Sequence, residues 1–335
     1  MAEDRMREGT ANFGRARGST DPVVSVLVIS YNTRDMTLEC LRSLEATTRA
    51  PHEVIVLDNA SSDGSADVIA AAFPSGEYPH IRLIRSEKNL GFAGGNNAAA
   101  LHASGRYILL LNPDTVVLEG AVDNLLAFAR EAPHAKIWGG RTLFPDGRLN
   151  PSSCWQRMTL WNVFCRTSGL ASLFPNSRLF NPESYPGWDR DSVRAVDLVT
   201  GCLLLIERDF WNELDGFNLD YFMYGEEADL CMRAQKAGAD PHITPEATIV
   251  HYGEASMPER SEKMSLLLKG KIELAKRHFP SWQRPLGVGL LRLWPLSRMM
   301  TCRIGRLVSK SPKIDKAYDL WSAVWARRAY WRDGY

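Results

Sequence analysis

The chain is poor in the features that would send it through a membrane, into an oxidising compartment or onto a nucleic acid. Its six cysteines, Cys40, Cys154, Cys165, Cys202, Cys231 and Cys302, form no CxxC pair and no dense framework, so reduced thiols are expected. No apolar run approaches the roughly 18 residues that span a bilayer. The longest are short, such as Leu203 to Ile206 and Leu286 to Leu291. Residues 1–20 are polar and carry no apolar h-region, so a disordered leader rather than a signal peptide is expected there. An excess of one charge is also missing: Lys plus Arg is 40, Asp plus Glu is 39, and the net charge is +1. That disfavours a uniformly basic nucleic-acid binder. There is no internal repeat and no low-complexity block. At 45% hydrophobic and 24% charged, the 335 residues have enough apolar content to exclude a mostly disordered chain. The length fits one large domain or two.

The near-zero net charge hides an asymmetry. Residues 281–335 hold 11 Lys/Arg against 3 Asp/Glu, and five of the ten tryptophans. An acidic body is therefore followed by a basic, aromatic tail.

The first half alternates strand and helix signals. Val23 to Ser30 reads as a buried strand, followed by a helix carrying Met36, Leu38, Leu41 and Leu44. Glu53 to Leu57 is a second buried strand, and a helix through Val68 and Ile69 follows the turn-rich Asn59 to Gly64. Ile81 to Arg85 is a third strand. Gly91 to Gly95 reads as a loop, with an Ala-rich helix from Asn96 to His102. Tyr107 to Leu111 is a fourth strand, stopped by Asn112-Pro113-Asp114. This order predicts an α/β fold with a mostly parallel sheet flanked by helices. Ligands in such sheets bind beyond the C-terminal strand ends. Polar groups gather at three of those ends: Tyr31-Asn32, Asp58-Asn59 and Asn112-Pro113-Asp114.

The ligand is constrained by two missing glycine motifs. A dinucleotide fold places GxGxxG after the first strand, where Ser30-Tyr31-Asn32-Thr33 stands instead, and no GxxxxGK[ST] loop occurs. A dehydrogenase is disfavoured, and so is a nucleotidyltransferase, which also needs a Gly-rich first turn. Asp58 is placed to accept hydrogen bonds from a base or ribose. Asp114 can serve as a ligand for a hard divalent cation or as the N-cap of a helix over Leu118 to Ala129; its local sequence leaves both open.

Six stretches carry a family resemblance: VSVLVISYN (24–32), EVIVLDNASSDGS (53–65), NLGFAGGNN (89–97), YILLLNPDT (107–115), VTGCLLLIERDFWNELDGFNLDYFMYGEEADLCMRAQKAG (199–238) and IVHYGEAS (249–256). In this order the chain resembles the glycosyltransferase family 2 enzymes of GT-A fold, in the rhamnosyltransferase-like branch. The resemblance implies a GT-A domain over 21–280, with a nucleotide-binding half over about 21–130 and an acceptor half over about 131–280. It implies inverting transfer of a sugar, L-rhamnose from dTDP-rhamnose, to a hydroxyl of a glycan or lipid-linked glycan. Another hexosyl or galactofuranosyl transfer, and a non-catalytic nucleotide-sugar binder, are the alternatives. It also implies roles for residues. Tyr31, Asn32 and Asp58 line the nucleoside pocket. Asn112-Pro113-Asp114 matches the metal-binding DxD signature, with Asp114 carrying the contact to Mg²⁺ or Mn²⁺ and His251 beside it. Gly91 to Asn97, with Gly94 and Asn96, approaches the diphosphate and donor sugar. Glu227 stands where the family has its base, usually an Asp. Glu226, Asp229 and Trp155 fall on the acceptor side, although core packing is the better reading of Trp155.

The tail over 281–335 is expected to form helices that attach the enzyme to a membrane surface, at the cytoplasmic face. Arg303, Arg306 and Lys310 share one helical face, Ile304 and Val308 another. Trp294, Trp321, Trp325 and Trp331 are rings of the kind that settle at headgroup level. Each basic residue near an anionic surface contributes up to about 1 kcal/mol.

Overall fold

The computed structural model describes residues 21–253 and 259–335; the expected leader over 1–20 lies outside the described residues. The chain begins with β1 (Val24–Ser30), α1 (Arg34–Thr47), β2 (His52–Asp58), α2 (Ser65–Ala72), β3 (Ile81–Arg85), α3 (Gly91–Ala100) and β4 (Tyr107–Leu111). β1 is buried at all seven positions, so its Val/Leu/Ile run is covered from both sides. Val24, Val26 and Val28 meet Leu38, Leu41 and Leu44 of α1 in one core. Leu27 and Ile29 join Ala93 and Ala99 of α3 in the other. The four strands are parallel in the order β3-β2-β1-β4.

The sheet becomes mixed beyond β4. After β5 (Thr115–Val117), α4 (Ala121–Glu131) and β6 (Ile137–Leu143), the chain runs through the two-residue strands β7 (Leu149–Asn150) and β8 (Cys154–Trp155). The helices α5 (Leu160–Ser168) and α6 (Leu170–Leu173) follow, then β9 (Arg194–Ala195), β10 (Leu198–Val199) and β11 (Leu203–Glu207). Next come α7 (Arg208–Glu213), α8 (Glu226–Lys236) and β12 (His242–His251). The full path is β3-β2-β1-β4-β11-β6-β12-β5, with β11 antiparallel to both β4 and β6.

Residues 91–95 are helical, not a loop. Their glycines allow α3 to press against its neighbours. A Cβ on Gly95 would sit 2.8 Å from Ile29 Cγ2, and one on Gly91 would sit 2.2 Å from the Phe222 carbonyl oxygen. Packing overrides the weak helix propensity of glycine here. Asp114 caps no helix: Thr115 starts a strand, and Gly120 occupies the N-cap of α4.

The tail is packed into the protein. It forms α10 (Arg284–Val308), α11 (Pro312–Ala326) and α12 (Arg328–Trp331), preceded by α9 (Arg260–His278). Trp294, Val324 and Trp331 share a core with Val163 of α5, Leu268 and Ile272 of α9, and Tyr221. The expectation that Trp294 and Trp331 sit at headgroup level is therefore corrected. Trp331 is fully buried and donates its indole N–H to the Val324 carbonyl at 2.9 Å. Arg306 is held by Asp315 and Asp319 and stacks over Tyr318, so its charge is already satisfied. An apolar stripe with interspersed bases looks the same in sequence whether it covers a protein or a lipid. No helix among the described residues is long and apolar enough to cross a membrane.

Removing a fully buried indole costs about 3–5 kcal/mol. Trp331→Ala is expected to lower the unfolding free energy by about that amount in denaturant titration. Unchanged stability would return the tail to the role of an appendage.

Candidate active site

Two chambers open beyond the carboxyl ends of the strands. The first, a cleft of about 620 Å³, is lined by Tyr31, Asn59, Asn89, Asn112, Asp114 and His251, among others. The second, about 330 Å³, is lined by Trp155, Thr200, Glu227, Lys271 and His278 within a largely apolar wall. Tyr224 borders both.

The first cleft is built by strand register. β1 and β2 end level, with Ser30 opposite Asp58. Asp58 is 4% exposed; its Oδ2 accepts the Ser61 N–H at 3.2 Å, while its Oδ1 is buried without a partner. A buried, unpaired carboxylate oxygen is costly unless a ligand donates to it. Asn59 is fully used: it accepts the Leu90 N–H at 2.8 Å and donates to Asn89 Oδ1 and the Gly91 carbonyl, both at 3.0 Å. It thereby fixes the turn into α3.

On the other side, β12 pairs with β5 so that His251 lies opposite Thr115. This brings His251 Nε2 to 3.3 Å from Asp114 Oδ1. The Asn112 side-chain oxygen is buried there without a partner. One carboxylate and one imidazole, with the Asn112 amide nitrogen 3.5 Å from His251 Nε2, form a donor set that fits a divalent cation such as Mn²⁺.

Several sequence candidates do other work. Asn32, at φ +53°, accepts the Ser62 N–H at 2.8 Å and so pins the loop after β2. Gly94 and Asn96 lie inside α3, where Asn96 Nδ2 donates to the Phe92 carbonyl. Of the expected stretch Gly91 to Asn97, Gly91 and Phe92 line the cleft, together with Asn89 before it. Asp229 is held by Arg233 at 2.7 Å and by His278 at 2.8 Å. With both oxygens engaged, it is unsuited to accept a substrate proton. Trp155 does face the second chamber.

The loop between the chambers is clamped from several sides. Phe92 donates its N–H to the Phe222 carbonyl at 2.9 Å. Gly270 of α9 lies against the Tyr224 carbonyl so closely that a Cβ would fall 1.9 Å from it. Tyr335 receives the Met223 N–H at 3.1 Å and donates to the Met223 carbonyl at 2.5 Å. Tyr224 and Gly225 then take positive φ, and α8 starts at Glu226.

Glu226 and Glu227 are consecutive but differ in setting. Burial raises the Glu226 carboxyl well above its ordinary range, and the Glu227 charge pushes it the same way. Burial also raises Glu227, but backbone N–H groups, its own and those of Gly201 and Gly225, oppose this. Backbone N–H groups of Glu226 and Tyr224 oppose the rise of Glu226 too, but it feels the Glu227 charge in addition; Glu227 lines the chamber. Nearby, Lys271 and Arg166 grip Glu183 at 2.5 and 2.7 Å. Burial alone would raise Glu183, but the two cations hold it down at about 2. Sequence patterning missed this triad, because its members are far apart in the chain and none lies in a recognisable motif.

A carboxyl with a raised folded pKa stabilises below its unfolded value, near 4.5, and loses that contribution as pH rises through the folded value. Glu226→Gln should thus raise the melting temperature at pH 8 and lose the advantage towards pH 4. An equal shift at every pH would refute the raised Glu226 carboxyl.

Residues 25–194, just over half of the chain, match the family model described as glycosyl transferase family 2. The chain is 27% identical to an N-acetylglucosaminyl-diphospho-decaprenol L-rhamnosyltransferase of Mycobacterium tuberculosis, over 79% of this chain and 88% of that protein. It is 26% identical to the rhamnosyltransferase WbbL of Escherichia coli, over 69% of this chain and 83% of the relative. A mannosyltransferase of Pyrobaculum calidifontis, solved with GDP-Man and Mn²⁺, superposes with a TM-score of 0.57 at 15% identity, over 93% of this chain and 88% of that one. This last likeness concerns the fold, which is the GT-A type. With the strand-end cleft and the family match together, the chain belongs to glycosyl transferase family 2, in its rhamnosyltransferase-like part, and is a glycosyltransferase.

Proposed function

We propose that this enzyme transfers L-rhamnose from dTDP-rhamnose, with inversion, to a hydroxyl of a lipid-linked glycan. The observation that carries the reading is the pair of chambers meeting at Tyr224, with Asp114 in one and Glu227 in the other. The rhamnosyltransferase names of the relatives favour the sugar, and the decaprenol-linked acceptor of one of them favours the lipid.

In this mechanism the unpaired oxygen of Asp58 receives a hydrogen bond from the nucleoside, and Tyr31 bounds the same pocket. Asn112, Asp114 and His251 would hold a divalent cation, which, when bound, supplies Lewis-acid neutralisation of the leaving diphosphate. Glu227 takes the proton of the incoming hydroxyl on the opposite side of the anomeric carbon. The neighbouring Glu226, kept neutral, adds no repulsion to the charged base. Burial delays ionisation of Glu227, so the acid limb of the kcat/KM profile should lie above the ordinary carboxylate range. Glutamate in place of the usual aspartate extends the reach by one methylene.

Peripheral contact with the cytoplasmic membrane face, if the acceptor is lipid-linked, falls to the end of α10. There Ile304, Leu307 and Val308 are 59%, 86% and 82% exposed.

Four measurements test these statements. In a transfer assay with nucleotide sugars and Mg²⁺ or Mn²⁺, dTDP-rhamnose should be the preferred donor. Asp114→Asn should reduce the rate on the order of a hundredfold or more; full activity in chelator would overturn the metal role. Glu227→Gln should keep donor binding while losing roughly 10²–10⁴-fold in transfer, and Glu227→Asp should retain measurable turnover. Wild-type turnover of Glu227→Gln would dismiss it as the base. Leu307→Asp with Val308→Asp should weaken flotation with anionic vesicles at low salt, and equal flotation would dismiss the α10 contact.

A further inference from the structure

A second cluster of chemistry lies at the opposite ends of the strands, away from both chambers. Glu45 sits in the last turn of α1, His52 opens β2, and His80 immediately precedes β3. Three consecutive units of the nucleotide-binding half thus meet at one carboxylate. His52 Nε2 is 3.1 Å from Glu45 Oε1, and His80 Nε2 is 2.9 Å from Glu45 Oε2. The side chains of His52 and Glu45 are 10% and 20% exposed, and that of His80 is 34% exposed.

The tautomer of His52 follows from its other nitrogen. Nδ1 lies 2.8 Å from the Ala50 carbonyl oxygen, which only accepts, so Nδ1 carries a proton. In a neutral ring, Nε2 would then present a lone pair to a carboxylate oxygen, which is repulsive. A cation must occupy that line, either a proton on His52 or a metal ion. The backbone bond through Nδ1 is the arrangement that orients metal-ligating histidines.

We propose that Glu45, His52 and His80 form a zinc site, separate from the catalytic cleft, that ties α1 to the starts of β2 and β3. Two imidazoles and one carboxylate are a three-ligand set suited to zinc, with a fourth, water-filled position on the exposed His80 side. Tetrahedral zinc with bonds of about 2 Å holds its ligand atoms roughly 3.3 Å apart. Each histidine nitrogen is already near this distance from one oxygen of the carboxylate, His52 from Oε1 and His80 from Oε2, and one ligand atom of each residue lies within 4.8 Å of the other two. Nitrogen donors favour zinc over the Mg²⁺ suited to the oxygen-rich cleft. Binding displaces the Nε2 proton of His52 to solvent and moves that of His80 to its Nδ1, so one proton is released for each ion bound.

The test is calorimetric titration of ZnCl₂ into the full chain, stripped with chelator and then kept in excess Mg²⁺. One equivalent should bind with release of about one proton, read from buffers of different ionisation enthalpy. It should raise the melting temperature. His80→Ala, at a side chain 34% exposed, should abolish the binding, and so should His52→Ala. Asp114→Asn should bind as the wild type does. The proposal fails if no saturable equivalent binds. It also fails if His80→Ala, shown folded by circular dichroism, binds unchanged, or if Asp114→Asn removes the binding. A rise in stability on acidification with no zinc response would assign the site to a proton alone.

Discussion

Two-sided burial of β1 and β4 is the constraint on which the rest of the molecule depends. With helices on both faces, these strands can present polar groups only at their ends. Parallel pairing then brings Ser30 and Asp58 level, and the neighbouring strand delivers Asn112 to Asp114 beside them. The cleft is thus the place where a hydrophobic rule stops applying. The unpaired oxygens of Asn112, which lines it, and of Asp58, at the neighbouring strand end, carry a desolvation cost that the folded apolar layers offset.

Much of this was legible in the sequence. The runs at Val23 to Ser30 and Tyr107 to Leu111 mark strands because β-branched and aliphatic residues fill them, and the polar stops after them are abrupt. The parts that were not legible depend on contacts between distant segments. Glycines at 91, 94 and 95 suggest a loop because propensity is local, yet α3 forms there through close approach to Ile29 and the Phe222 carbonyl. Asn32 looks like a ligand residue until its positive φ and its bond to Ser62 assign it to the loop. The tail shows the same ambiguity. Its tryptophans signal burial, but not what buries them, and Trp331 is enclosed by the protein itself.

The acidic pair at the start of α8 shows how position divides the roles of two identical side chains. Glu226 points into a wall that gives it no partner for Oε2, and Glu227 points into a chamber near backbone donors. Asp229, one turn on, is withdrawn by Arg233 and His278. Three carboxylates within four residues thus sit in three settings: one enclosed and pushed up by burial and its neighbour's charge, one facing a chamber, and one in two ion pairs. Charge density alone does not identify a base; the surrounding donors do.

The clamp on residues 221–225 also sets an order of assembly. Its parts come from α3, from Gly270 and from Tyr335, which lie far apart along the chain. The parallel strands and the Asp58 end of the cleft are complete once about the first third of the polypeptide is present. The loop that leads into Glu227 is held only after α9 and the last helices dock, a closure over long sequence separations that is slow compared with local pairing. During synthesis, the parallel strands can therefore gather their structure while the loop before α8 is still unplaced. The two chambers that meet at Tyr224 thus become complete as separate events in time.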